Sequence, residues 1–143
     1  MTENILAPAA VLILWSLIML VWMAVVRFAA FSKSGVDVKN AKPGGRGSDL
    51  EGVLPDRVMW KAHNYAHLME QPTIFYAAVL ILHAAGAATS MAISLAWAYT
   101  VLRIAHSLWQ ATVNTIIPVR FGLFLLATSC LLVLSVMAVA ATL

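Results

Sequence analysis

Glu70 and Arg103 are the residues from which chemistry could be built in this chain. Each stands within or beside a long apolar stretch, where a charge is costly and usually faces protein or a wet cavity. His63, His67, Glu70 and Ile74 follow one another at spacings of four, three and four, which puts the three polar groups on one helix face, flanked by Asn64 and Gln71. Tyr99, Arg103, His106, Ser107, Gln110 and Asn114 fall within a sector of about 100° on another helix. Arginine keeps its proton, so Arg103 in a membrane needs an anionic partner, and Glu70 or a bound anion would serve. Arg120 is the only other cation beyond the basic first third of the chain and Arg57 and Lys61. Two such stripes can form an anion-binding cradle or a proton pathway through Glu70, His67 and His106. They can also be polar glue, with Arg103 and Glu70 as an ion pair that fixes helix register. A bis-histidine haem would need pairs facing across helices, whereas His63 and His67 share a face, and no metal site is assigned.

These stripes need long helices to carry them. The first apolar run predicts a helix over about 5–31, apolar all round, with Trp15 and Trp22 as packing or lipid contacts. Residues 32–55, rich in Gly, Pro, Lys and Asp, read as a solvated loop. Asp56, just after Pro55, is the expected N-cap of a second helix over about 56–85 that begins amphipathic and then turns apolar. Pro72 predicts a kink beside Glu70. Gly86 ends this helix, a short turn leads to a third over about 90–115, and Pro118 separates it from a fourth over about 119–142.

With 62% hydrophobic and 10% charged residues among 143, the chain is too apolar for a soluble domain with one core. A hydrocarbon layer about 30 Å thick takes roughly 20 residues per helix. The expectation is therefore an all-α membrane protein, a single domain over 1–143 forming a four-transmembrane-helix bundle. Seven of the nine basic residues, Arg27, Lys33, Lys39, Lys42, Arg46, Arg57 and Lys61, join the first two spans. That bias places the 32–55 loop in the cytoplasm and both termini on the opposite, periplasmic side. The cluster reads as membrane topology, and nucleic acid is not expected as a partner. The lone Cys130 lies in the last apolar run and reads as a small buried hydrophobe.

Two motifs carry a resemblance. His63-Asn64-Tyr65-Ala66-His67-Leu68-Met69-Glu70-Gln71-Pro72-Thr73-Ile74-Phe75 resembles a segment of Arg, Asn and Glu followed by Pro and Phe. Arg103-Ile104-Ala105-His106-Ser107 is similar to Arg-x-x-His-Ser/Thr, and Pro118-Val119-Arg120 to a Pro-x-Arg opening the fourth helix. Both belong to the MAPEG family, the membrane-associated proteins of eicosanoid and glutathione metabolism, and the chain resembles a bacterial-type member over nearly its whole length. The resemblance implies an inner-membrane homotrimer, with glutathione bound between subunits near the cytoplasmic face and lipophilic small molecules reaching it from the bilayer. It implies transferase or peroxidase activity toward lipophilic electrophiles. Arg120 would stabilise the thiolate, with Arg103, His106, Glu70, His67, His63 and Gln110 as the glutathione cradle. The pattern differs at the family's Asn and Arg positions, which hold His67 and His63, and at a Tyr position of some members, which holds Gln110. Phe121 and Phe124 stand where some members place Ser and Tyr, so no hydroxyl is left there for a thiolate. Those two residues favour the alternative, a non-catalytic protein of the same fold that binds a lipid or a partner in the intersubunit groove.

Overall fold

The computed structural model describes residues 4–35 and 43–143. Four long helices follow one another: α1 (Leu6–Ser34), α2 (Asp56–Ala84), α3 (Ser90–Thr112) and α4 (Ile117–Thr142), with one turn of 3-10 helix, Gly47–Leu50, between the first two. Lys39 and Lys42 of the basic cluster, and Met1, Thr2 and Glu3, lie outside the described residues.

α1 and α4 are long and apolar enough to cross a bilayer, and only 22% of the apolar window of each is buried within the chain, so most of their surface faces outward. α2 and α3 carry the polar stripes and pack between them. α2 touches the three other helices, and α3 and α4 share the most extensive contact. The core is built from Leu12 and Met19 of α1, Phe75 and Val79 of α2 and Leu134 of α4. Ala92, Ala96, Ala111 and Ala127 are fully buried, the small residues that let helix backbones approach in the absence of water.

The ends differ from the expected ones for local reasons. α1 runs to Ser34 rather than about 31, closed by Gly35 in the left-handed conformation (φ 67°). Pro55, not Asp56, is the N-cap of α2, and Asp56 is its first residue, where the exposed amides favour a carboxylate. α2 continues as one helix through Pro72 and ends at Ala84. Its last turn is sealed by Gly86 and Ala87, whose amides donate to the carbonyls of His83 and Leu82. α3 starts under a cap, Thr89 accepting from the Ala92 amide, and stops at Thr112 because Asn114 takes a left-handed conformation (φ 44°). α4 begins at Ile117, two residues earlier than expected, since Pro118 falls in a first turn that needs no amide donor.

The segment before α2 is partly docked rather than wholly solvated. Arg46 and Asp49 cap the 3-10 turn reciprocally, Leu54 is buried, and Gly47 lies against the Arg27 guanidinium, which a Cβ would meet at 3.2 Å.

Candidate polar site between α2, α3 and α4

Arg103 enters the bundle from the middle of α3 and is 1% exposed. Its Nη2 donates to the backbone carbonyl of His67 at 3.0 Å, and Nη1 lies 3.4 Å from His67 Nε2. Nε has no partner. Pro72 has no amide to offer the carbonyl of Leu68, so the α2 backbone is short of a donor one residue from the carbonyl that Arg103 reaches.

The Arg103–Glu70 ion pair, one of the two partners open to Arg103 from the sequence, is not formed. Glu70 Oε2 instead accepts from His67 Nδ1 at 3.0 Å, with the Glu70 side chain 69% exposed. His67 thus faces Glu70 with Nδ1 and Arg103 with Nε2. The physical reason is position: Glu70 is one turn further along α2, at the open edge, while Arg103 finds an acceptor in the backbone.

Around this chain of contacts lies a cleft of about 400 Å³. His63, His67 and Glu70 of α2, His106 and Gln110 of α3 and Arg120 of α4 line it, with Ile117, Phe121 and Phe124 as its apolar wall. Six of the seven site residues expected from the sequence therefore share one cavity, and Arg103 stands behind it. The His67 and His106 rings are 4.9 Å apart, and Phe124 lies 5.7 Å from the first and 6.5 Å from the second. Gln110 is 7% exposed, and its buried Oε1 has no partner among the described residues. Arg120 Nη1 donates to Asn114 Oδ1 at 2.8 Å, so the turn between α3 and α4 holds this cation. His63, at the mouth, is hydrogen-bonded to the Glu51 carboxylate.

A second layer fixes the first. Ser107 accepts from both Trp15 Nε1 and Asn64 Nδ2 at 2.9 Å, which ties α1, α2 and α3 together one residue from His106. Trp15 is thus more than the packing contact expected of it. Tyr99 does not line the cleft: it stacks on Phe75 at 4.3 Å and donates to Gln71 Oε1 at 3.3 Å, while Gln71 Nε2 donates to Thr128 at 2.8 Å. Glu51 and Trp15 carried no sequence signal, since their partners lie 12 and 92 residues away and no periodicity links them.

The cleft therefore offers a held cation, an exposed carboxylate, a glutamine side chain and an apolar side. That set suits a ligand with carboxylate and ammonium groups attached to, or meeting, an apolar reactant. Among the described residues no group of three or more His, Cys, Asp or Glu side chains could hold a metal ion. A family model described as the MAPEG family matches residues 5–140. No curated protein and no solved structure matches the chain.

Proposed function

The chain belongs to the MAPEG family, and from that premise we propose that it is a glutathione-dependent transferase or peroxidase acting on lipophilic electrophiles at the cleft between α2, α3 and α4. The observation that carries this reading is the convergence of Arg120, Glu70 and Gln110 on one cavity with a Phe121–Phe124 wall. A zwitterionic tripeptide matches that donor set. Arg120 and, through the floor, Arg103 face its carboxylates or thiolate, Glu70 its ammonium, and Gln110 a peptide N–H. His106 and His67 complete the floor and His63 the mouth.

Bound glutathione supplies the nucleophile, a thiol of pKa about 8.5 that a neighbouring cation makes more acidic. Arg120 is the residue that stabilises the thiolate. The sulfur then forms a bond to an electrophilic carbon while the leaving group departs with its electron pair, and no cysteine of the chain takes part. The apolar wall admits the second reactant from the bilayer side.

The assembly we propose is a homotrimer of four-span chains in the inner membrane, termini periplasmic and the 32–55 loop cytoplasmic. Support for the orientation is the concentration of basic residues around that loop. A second reading, a non-catalytic protein that binds a lipid or partner in the same groove, is favoured by Phe121 and Phe124, which bring no hydroxyl to the sulfur position.

Calorimetric titration of the detergent-solubilised protein with glutathione, beside Arg120→Ala and Gln110→Leu, tests the choice. Binding that both substitutions weaken is the expected result. A folded wild type that takes up no glutathione would leave the second reading in its place.

A further inference from the structure

A separate groove of about 430 Å³ lies between the end of α1 and the start of α2. Val25, Val26, Ala29 and Ala30 of α1 form one wall, Pro55 and Val58 the other, and Lys33 and Ser34 the far end. The α1 residues recur at i, i+1, i+4, i+5, i+8 and i+9, a single stripe, so the groove runs along the helix. Its walls are apolar, and among the described residues its one lining charge is the Lys33 ammonium and no lining residue is acidic. Ser34 already gives its hydroxyl proton to the Ala30 carbonyl at 2.8 Å, which leaves Lys33 as the group able to meet an anion.

The depth of the groove says which molecule would lie in it. α1 has 29 residues. At ~1.5 Å per residue such a helix exceeds a hydrocarbon layer of ~30 Å by roughly nine residues, which must lie among headgroups. Counted from Leu6, Val25 is the twentieth residue of α1 and so stands at the far edge of such a layer, and Lys33 stands about two turns further out. The groove therefore runs from the edge of the hydrocarbon into the headgroup layer, apolar where acyl carbons lie and cationic where phosphates lie.

We propose that this groove binds one anionic phospholipid, its upper acyl chain along Val25, Ala29 and Ala30 and its phosphate at Lys33. The site is independent of the glutathione reading, since it shares no lining residue with the polar cleft. A zwitterionic lipid would fit the same walls, but its own cation offsets the attraction to Lys33, so net charge sets the preference.

The test is native mass spectrometry of the full chain in non-ionic detergent, titrated with phosphatidylglycerol or with phosphatidylcholine of the same acyl chains. The expected preference for phosphatidylglycerol is about fivefold, the worth of one lysine near an anionic surface. Lys33→Gln should bring the two lipids to parity, Arg57→Gln should leave the preference in place, and Ala29→Leu should weaken both lipids with the preference kept. Equal affinities in the wild type would overturn the proposal. So would equal losses in Lys33→Gln and Arg57→Gln, which would mean diffuse surface charge, or displacement by an equal concentration of chainless glycerophosphoglycerol.

Discussion

Arg103 and Glu70 are joined through an imidazole: His67 Nδ1 is 3.0 Å from Glu70 Oε2, and Nε2 is 3.4 Å from Arg103 Nη1. The consequence is an unequal dependence on the two charges. Arg103 is buried and held by a backbone carbonyl, whereas Glu70 is exposed and contributes through a screened contact. Glu70→Gln should cost less than ~1 kcal/mol of stability. Arg103→Ala, which removes a fully buried side chain and leaves a cavity, should cost about 3 kcal/mol or more. Because the two side chains share His67, their coupling in a double-mutant cycle should be about 0.5–1 kcal/mol, at the low end for members of one hydrogen-bond network. Denaturant titration in mixed micelles measures all three, and a large coupling would mean that the carboxylate and guanidinium meet directly.

Ser107 accepts two hydrogen bonds, from the half-buried Trp15 Nε1 and the buried Asn64 Nδ2. Ser107→Ala leaves both donors unpaired, and at ~1–3 kcal/mol for each such group the loss should be about 2–4 kcal/mol. Trp15→Phe removes one donor together with its need for a partner, so in the Ser107→Ala background it should cost much less than in the wild type. Equal costs in the two backgrounds would show that the tryptophan finds another acceptor.

The polar face of α3 was legible because helical periodicity alone puts Arg103, His106, Ser107 and Gln110 together, and α2 repeats the logic with His63, His67 and Glu70. The family resemblance is borne out by a match over residues 5–140. Periodicity could not say which groups on facing stripes would touch. Arg103 chose a carbonyl of α2 over the nearest acid, a backbone acceptor that no side-chain pattern reveals. Helix ends were legible to within a few residues, and the misses trace to single backbone conformations such as φ 44° at Asn114.

That conformation makes Asn114 separable into two roles. Its backbone occupies a left-handed turn, and its side chain accepts from Arg120 at 2.8 Å. Asn114→Gly should keep the turn and remove only the acceptor, so the protein should melt near the wild type while thiolate formation by bound glutathione, read by ultraviolet absorbance, falls severalfold. Asn114→Ala should lose the acceptor and also strain the turn by ~1 kcal/mol. If the glycine variant forms thiolate normally, Arg120 needs no anchor and Asn114 is only a turn residue.

Phe124 offers the sharpest separation of the catalytic reading from the binding-only one. Its ring stands 5.7 Å from His67 and 6.5 Å from His106 on the cleft wall. A well-placed hydrogen-bond donor to a developing or ground-state anion is worth roughly 10²–10³ in rate when it is removed from an optimised site. Installed by a single change in a wall that evolved without it, the gain should be smaller, about tenfold. Phe124→Tyr should therefore raise the rate of glutathione conjugation to a lipophilic halonitroarene, with glutathione affinity nearly unchanged, because the new group acts on the sulfur and not on the peptide. An unchanged rate alongside intact glutathione binding would mean that the sulfur lies away from this wall. No turnover in either protein would mean that the groove binds its ligand without reacting it.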